Sequence, residues 1–253
     1  MKVLKRLTSY LPYILIVVSG VFGLLFGTGV LNNIHNQYLR YLSTWTVMIT
    51  NQAGNSGATG FVVKGKSGTK YIMTNAHVCS LADNGMLYAN YRGDRFQVQV
   101  FKKYQFNDLC ALTSHRPLGL AVTVASSVTN GENTWVIGHP LLEPKSSAIG
   151  ELSGSVFIQI MTGANPKPGE CDGPTYKRES TEGTFFGFFG ISEVCIRTVE
   201  AQASTMSIMP GNSGSPVTNL YGNVVAVAFA ANESGGRSYH VPLSDLVDFL
   251  NQL

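Results

Sequence analysis

Charged side chains are scarce in this sequence. Asp, Glu, Lys and Arg make up 13% of its 253 residues, about half of the share that is usual in globular proteins. No acidic residue precedes Asp83, whereas three basic residues, Lys2, Lys5 and Arg6, lie at the N-terminus. Beyond Arg6 the basic residues equal the 15 acidic ones in number, so the net charge of +3 belongs to the N-terminus. A neutral body gives no support for a nucleic-acid partner.

Cysteine is also rare, and the four cysteines form no C-x-x-C motif. His77 and Cys79 stand two residues apart like a pair of metal ligands, but no second pair follows at a suitable spacing. The sequence therefore predicts no metal site.

The N-terminal segment lacks any charge from Leu7 to Leu31. Its apolar run is long enough to cross a bilayer as a helix, which takes about 20 residues. We therefore expect a cytoplasmic basic end and a transmembrane anchor over residues 1–31, then a stalk over residues 32–44. The basic residues would leave the remaining chain on the non-cytoplasmic side. The alternative is a secretory leader that is removed near Gly29, so that the protein is secreted.

Long helical patterns are absent from the rest of the chain, where short β-type runs alternate with Gly, Asn and Ser. Many short strands without interleaved helices predict an all-β fold. One helix is predicted at the C-terminus, where Ser244 can cap a stripe that includes Leu246 and Leu250. Residues 163–183, rich in Gly and Pro, predict a long surface loop. The predicted strands cover residues 45–50, 60–63, 70–74, 96–101, 109–112, 120–124, 134–137, 155–160, 185–189, 194–199, 224–229 and 238–241.

Three short motifs contain candidate catalytic side chains. Pro210-Gly-Asn-Ser-Gly-Ser-Pro216 places Ser213 in a glycine turn, which exposes a nucleophilic hydroxyl. His77 directly follows a predicted strand, and Asp108 directly precedes one. Each residue alone also has an ordinary structural explanation, but together they follow the order His, Asp, Ser. This order is typical of chymotrypsin-type enzymes, whereas α/β-hydrolases have the order Ser, Asp, His.

With these motifs the chain resembles the trypsin-like serine peptidases of the chymotrypsin fold, and among them the HtrA branch. The resemblance covers about residues 45–250 and implies two six-stranded antiparallel β-barrels, over residues 45–130 and 131–253, with the active site between them. The motifs that are similar to those of the family, in the family's order, are Gly57-x-x-Gly60-Phe-Val-Val63, Thr74-Asn-Ala-His-Val78, Asn107-Asp-Leu-Cys-Ala-Leu112, Val136-Ile-Gly-His-Pro140, Ser153-Gly-Ser-Val156, Pro210-Gly-Asn-Ser-Gly214, Gly222-Asn-Val-Val-Ala-Val227 and Tyr239-His-Val-Pro242.

The resemblance also implies the role of each catalytic residue. Ser213 would attack the scissile carbonyl, His77 would accept the serine proton, and Asp108 would orient the imidazole. The backbone N–H groups of Gly211 and Ser213 would form the oxyanion hole.

Three further residues are candidates for contact with substrate. Ser207 stands six residues before Ser213, where trypsin-type enzymes carry the aspartate that binds Lys or Arg, so a small or apolar P1 residue is expected. Phe229 is expected to line the same pocket. His139 is expected to be a structural or surface residue, and contact with substrate is the alternative, because its turn lies near the active site in the family.

Two residues depart from the family pattern. Asn212 replaces the aspartate that digestive proteases pair with a newly cut N-terminus, so that zymogen switch is not expected. Ser215 replaces a glycine, and a positive φ at that position would strain a serine.

The cysteines leave alternatives open. Cys79 and Cys110 each lie two residues past a triad member, so they are expected to be neighbours, either as two buried apolar side chains or as a disulfide. A second disulfide, between Cys171 and Cys195, would anchor the long loop on the non-cytoplasmic side.

The sequence as a whole therefore predicts a membrane-anchored serine endopeptidase that acts on proteins or peptides and needs no cofactor. We expect no PDZ domain, and the resemblance leaves a homo-oligomer open. The alternative is a catalytically silent protein of the same fold that acts as a membrane-tethered binding module.

Overall fold

The predicted anchor over residues 1–31 and the predicted strand over residues 185–189 lie outside the part of the chain that the structure describes. Within that part, no helix is long and apolar enough to span a membrane. The chain divides into two units, Met1–Thr44 and Trp45–Leu253. The computed structural model describes residues 37–164, 175–179, 191–232 and 236–253.

In the first unit, residues 37–42 form a short helix, α1. The hydroxyls of Ser43 and Thr44 donate to the backbone carbonyls of Arg40 and Tyr41. These bonds satisfy carbonyl groups that have no partner inside the last turn of a helix. The helix therefore ends within the segment that was predicted as a stalk.

The second unit is built from antiparallel strands, and a short helix follows the last of them. This arrangement confirms the all-β prediction. Within the described residues the strands are β1 (Thr46–Thr50), β2 (Gly57–Lys64), β3 (Lys70–Thr74), β4 (Met86–Tyr91), β5 (Asp94–Tyr104), β6 (Leu109–Thr113), β7 (Asn133–Gly138), β8 (Ser146–Ala164), β9 (Thr175–Glu179), β10 (Ile191–Ser204), β11 (Pro216–Thr218), β12 (Val224–Asn232) and β13 (Arg237–Pro242).

The first six strands close into a barrel in the order β1-β2-β3-β6-β5-β4. Side chains from the strands of the barrel fill its interior, among them Ile49, Val62, Ile72, Leu87 and Leu112, all fully buried. Burying such a side chain contributes about 1.5–3 kcal/mol. The barrel confirms the six-stranded architecture that was expected for this part of the chain.

The remaining seven strands form one sheet in the order β13-β12-β11-β7-β8-β10-β9, and β10 also pairs with β13. This last pairing joins six of the strands into a ring, with β9 attached outside it. A second apolar core, which includes Val136, Leu152, Met206, Val217 and Val225, lies against these strands.

Strand β9 is a correction to the predicted loop over residues 163–183. Residues 175–179 pair in antiparallel register with residues 191–195 of β10. Gly173 and Pro174 before it and Gly183 after it concealed a short run of Thr-Tyr-Lys that is compatible with a strand. Only the neighbouring edge of β10, which offers backbone partners, determines that this run is extended.

The C-terminal helix α3 covers Leu243–Leu250 and begins directly after β13. Its N-cap is Pro242, so the prediction that Ser244 caps the helix was wrong. The buried face includes Leu246 and Phe249, and the Phe249 ring stacks on Tyr104 with centroids 6.0 Å apart. The helix thereby packs against the first barrel's β5.

Candidate active site

His77 and Asp108 are held together at one end of the first barrel. Strand β3 ends at Thr74, and a single helical turn, α2 (Ala76–Cys79), carries His77. The Nδ1 atom of His77 lies 2.8 Å from Oδ2 of Asp108, and the backbone N–H of His77 donates to Oδ1 over 2.9 Å. One residue therefore engages both oxygens of the carboxylate.

This geometry determines which imidazole nitrogen carries the proton. An ionised carboxylate can only accept hydrogen bonds, so Nδ1 of His77 must donate to Asp108. The Nε2 atom then keeps its lone pair and can act as a proton acceptor. The Asp108 side chain is 14% exposed whereas that of His77 is 50% exposed, so the base faces solvent and its partner does not.

The backbone around Asp108 is specialised. Its φ angle is +52°, in the left-handed region that aspartate tolerates better than most residues. The buried Asn75, just before α2, donates from Nδ2 to the Asp108 carbonyl over 2.9 Å. The same segment therefore holds both the side chain and the backbone of Asp108.

Ser213 lies in the loop between β10 and β11, in the second sheet. Its Oγ donates to the carbonyl of Phe229 over 3.4 Å, so this hydroxyl is oriented towards β12 rather than bonded to His77. The loop nevertheless packs against the end of β3. A Cβ on Gly214 would collide with the Thr59 carbonyl and with the Thr74 hydroxyl. The nucleophile loop thus lies directly against the strand that leads to His77.

Two backbone N–H groups of this loop are available to a ligand. Asn212, Gly214 and Ser215 donate their N–H groups to protein carbonyls. The N–H groups of Gly211 and Ser213 have no acceptor among the described residues. An oxyanion hole requires two such unpaired donors that are fixed in advance.

Gly211 cannot be replaced by a larger residue without rearrangement. Its φ angle is +94°, and a Cβ would collide with the His139 carbonyl and lie 2.7 Å from the Leu141 nitrogen. The segment over residues 139–142 therefore forms a wall directly against Gly211.

A pocket of about 410 Å³ opens beside Ser213. Ser207 and Phe229 line it, and none of its lining residues in the described part of the chain is acidic. Arg237 is the one charged residue among these described lining residues. The other lining residues are Met206, Ile208, Met209, Pro210, Ala230, Ala231 and Gly236.

His139 is not among the described residues that line this pocket, and its contact with substrate stays a prediction. It is 7% exposed, its Nδ1 atom lies 3.0 Å from the Glu143 carbonyl, and burial lowers its pKa. Its backbone N–H donates to the Thr59 hydroxyl over 2.8 Å. The structure therefore gives His139 a role in positioning the wall behind Gly211.

A second cavity, of about 390 Å³, adjoins Asp108 and was not anticipated from the sequence. Its walls combine the aromatic residues Tyr104, Phe106 and Phe157 with the buried Arg197. Phe229 borders both cavities.

Ser215 is not strained. Its φ is not among the positive values of the described residues. Its buried hydroxyl occupies the space beside Gly138, where a Cβ would collide with it. A serine at this position is therefore matched by a glycine on the facing strand.

Cys79 and Cys110 form a disulfide, which is the second of the two alternatives for this pair. It joins α2 to β6, and both residues are buried. Their Cα atoms are 6.5 Å apart, because β3 and β6 already pair at Thr74 and Cys110. The proposed partners Cys171 and Cys195 include a residue outside the described part of the chain, and that disulfide stays a prediction.

Comparisons with known proteins agree with this geometry. "Serine protease Do-like HtrB" of Bacillus subtilis (strain 168) is 27% identical over 201 residues, which is 77% of this chain and 38% of the relative. The chain therefore spans well under half of that protein's length.

Solved structures share the fold. The active form of the Rv3671c protease from M. tuberculosis superposes with a TM-score of 0.63 at 16% identity, over 85% of this chain and 82% of the other. A serine endoprotease from Yersinia pestis gives a TM-score of 0.58 at 17% identity, over 86% and 66% of the two chains. The profile of the trypsin-like peptidase domain matches residues 58–227. The chain therefore belongs to the trypsin-like peptidase family.

Proposed function

We propose that this protein is a serine endopeptidase in which Ser213 is the nucleophile and His77 the general base. The observation that carries the proposal is the pair of contacts between His77 and Asp108, in which Nδ1 lies 2.8 Å from Oδ2 and the backbone N–H donates to Oδ1. That arrangement leaves a basic Nε2 at the solvent-facing side of the imidazole, as acyl transfer requires.

The proposed reaction proceeds through an acyl-enzyme. The Ser213 hydroxyl leaves the Phe229 carbonyl, turns towards Nε2 of His77 and loses its proton to that atom as Oγ attacks the scissile carbonyl carbon. The oxygen of the tetrahedral intermediate accepts from the N–H groups of Gly211 and Ser213. Collapse breaks the C–N bond, and the proton on His77 passes to the leaving amine. Water then attacks the ester by the same sequence and releases the carboxylic acid.

The pocket beside Ser213 supports a small or apolar P1 residue. Methionine, isoleucine, alanine and Phe229 contribute most of its walls. The positive charge of Arg237, and the lack of a carboxylate among the lining residues that the structure describes, disfavour a lysine or arginine at P1.

Membrane anchoring is part of the proposal and rests on the sequence of residues 1–31. A basic end followed by an uncharged apolar run of this length supports a single-pass anchor with the peptidase domain on the non-cytoplasmic side. The alternative remains a leader that is cleaved, which would release the same domain.

The proposed nucleophile is tested by labelling the full chain with a fluorophosphonate probe. We expect labelling of the wild type and its loss in Ser213→Ala. Ser215→Ala is the matched control, since it removes the other hydroxyl of the same loop and should be labelled. A folded wild type that resists the probe would contradict the proposal and favour the catalytically silent binding module.

A further inference from the structure

Thr59 is a buried polar residue in the middle of the apolar strand β2, and none of the roles above includes it. It is fully buried, and it makes hydrogen bonds through all of its polar groups. Its N–H donates to the Ser213 carbonyl over 2.9 Å, and its carbonyl accepts from the Thr74 hydroxyl over 2.8 Å. The strand thus connects the nucleophile loop to the segment that precedes His77.

The Thr59 hydroxyl has a single possible orientation. The backbone N–H of His139 donates to Oγ1 over 2.8 Å, and an N–H group cannot accept. The hydroxyl hydrogen must therefore point to the other neighbour, the Gly211 carbonyl, which lies 2.8 Å away. The His139 N–H therefore fixes the direction in which the Thr59 hydroxyl donates, which is towards the Gly211 carbonyl.

These contacts hold the peptide planes of the nucleophile loop one after another. A peptide plane is rigid, so a bond to a carbonyl also orients the N–H on the same plane. Thr59 binds the Gly211 carbonyl through its side chain and the Ser213 carbonyl through its backbone. The Pro210 carbonyl, which precedes Gly211, accepts from the Leu141 N–H. The Asn212 carbonyl, between Gly211 and Ser213, accepts from the Ser215 N–H.

We propose that Thr59 is a positioning residue for the oxyanion hole, a role that rests on the proposed function. The N–H groups of Gly211 and Ser213 belong to the planes on either side of the plane that the Thr59 hydroxyl holds. Without that hydroxyl, the Gly211–Asn212 plane keeps only the bond from the Asn212 N–H to the Met209 carbonyl. Gly211, which has no Cβ, then offers little resistance to rotation of the plane. Rotation there turns the flanking N–H groups away from one oxygen position.

The role is specific to the transition state. An oxyanion forms only as the tetrahedral intermediate develops, so a misaligned hole lowers kcat more than it raises KM. The loss of one donor in such a hole costs about 10²–10³ in rate. A misaligned rather than missing donor should cost less, and we expect kcat to fall roughly 10- to 100-fold.

The test compares two substitutions in the full chain. Thr59→Val removes the hydroxyl but keeps the shape, and Thr59→Ser keeps the hydroxyl but removes the methyl group. We expect Thr59→Val to lower kcat and the fluorophosphonate labelling rate with KM nearly unchanged. We expect Thr59→Ser to retain most of both rates. Thr46→Val is the control, because it makes the same change at a buried threonine of β1 whose hydroxyl has no hydrogen-bond partner in the described structure.

The outcomes separate the two proposals. If the wild type is not labelled at Ser213, the proposed function fails. If the wild type is labelled and Thr59→Val reacts at the same rate, the role of Thr59 is overturned. Equal losses in Thr59→Val and Thr59→Ser would also overturn it, since the methyl group would then be responsible. Thermal melting of each variant shows whether a loss of rate is caused by unfolding. If Thr59→Val is unfolded, the kcat of Thr59→Ser relative to that of the wild type decides whether Thr59 has this role.

Discussion

Asp108 is the residue whose local geometry constrains the site most tightly. Its left-handed backbone is held through the Asn75 side chain, and its two carboxylate oxygens accept from one residue, His77. Replacing Asp108 by asparagine removes the charge of the side chain and keeps its shape, so the effect of the charge can be measured by itself.

We expect Asp108→Asn to lower kcat by about 10⁴ while the fold is retained. The amide oxygen would take the His77 backbone N–H, so the NH₂ group would face Nδ1 and force the imidazole proton onto Nε2. Steady-state hydrolysis of a peptide substrate measures the effect. Asp94→Asn, at a carboxylate that is 73% exposed, is the matched control and should leave kcat unchanged.

His240 is a second residue with an unusual environment. It is fully buried, its Nε2 atom lies 2.8 Å from the Ser204 hydroxyl, and burial lowers its pKa to about 3. The unfolded chain binds a proton at this residue near the ordinary value of 6.5, so between these two pH values the unfolded state holds more protons than the folded state. Stability from His240 is therefore complete above pH 6.5 and decreases as the pH falls towards 3.

We expect the free energy of unfolding to fall between pH 6.5 and 4 less steeply in His240→Asn than in the wild type. The difference in slope should approach about 1.4 kcal/mol per pH unit for one proton. Urea denaturation at a series of pH values measures it. His115→Asn, at an exposed histidine, should keep the wild-type slope, and identical slopes in wild type and His240→Asn would contradict the assignment.

At the scale of elements, the strands of the first barrel place His77 and Asp108, and a disulfide reinforces them. Strands β3 and β6 pair in the barrel, and Cys79 and Cys110 join the segments that follow His77 and Asp108. The sequence spacing indicated that the two cysteines are neighbours. Only the pairing of β3 with β6 brings them close enough to bond.

We expect the double variant Cys79→Ala, Cys110→Ala to lose about 3–4 kcal/mol of stability, since the disulfide closes a loop of 31 residues in the unfolded chain. Its kcat at 25 °C should stay close to that of the wild type, because β3 still pairs with β6 and His77 still bonds to Asp108. Denaturant unfolding and steady-state kinetics measure the two quantities. Wild-type protein unfolded under reducing conditions should match the variant, and an intact free energy in the variant would contradict the estimate.

The pocket beside Ser213 combines the segment before the nucleophile with β12 and the start of β13. Ser207 is exposed within it, and no described lining residue is acidic. We expect Ser207→Asp to raise kcat/KM for a P1 lysine relative to a P1 alanine by about tenfold or more. The further change Arg237→Ala should increase this ratio.

Peptide substrates that differ only at P1 provide the measurement for this pocket. Ser207→Asn is the matched control, since it has nearly the shape of aspartate without its charge. An unchanged ratio in both Ser207→Asp variants would show that P1 binds elsewhere.

At the scale of the whole molecule, the chain combines an apolar N-terminal run with a peptidase domain. We expect the full chain to stay in the membrane fraction after an alkaline carbonate wash. Val18→Arg together with Phe22→Arg should move it to the soluble fraction, because each arginine at the centre of a span costs about 2.5–3.5 kcal/mol.

Two outcomes would contradict the anchor. A wild-type chain that washes off the membrane lacks a span, and a mature N-terminus near Gly29 identifies a cleaved leader. As a control, the same pair of substitutions made at exposed positions of the second unit, Gln97→Arg and Tyr221→Arg, should not change the fraction in which the chain is found.

The amino-acid sequence by itself determined the all-β class, the positions of most strands along the chain, and the candidates His77, Asp108 and Ser213. These features are local: apolar alternation indicates a strand, and glycines mark tight turns wherever they occur. Strands β4, β9 and β11 were missed, since their short runs become extended only against a neighbouring edge. The strand predicted over residues 120–124 was wrong, because Val122 and Val124 form only isolated bridges, to Val63 and Val224.

Tertiary structure alone decided the remaining features. Thr59 lies far from Gly211 and His139 in sequence, so its role in their hydrogen bonds exists only after β2 closes the barrel. The same holds for the match of Ser215 to Gly138 and for the burial that lowers the pKa of His240. Hydrogen-bond partners, collisions and desolvation depend on what approaches a residue from another strand, and that information is not contained in its own neighbourhood of the chain.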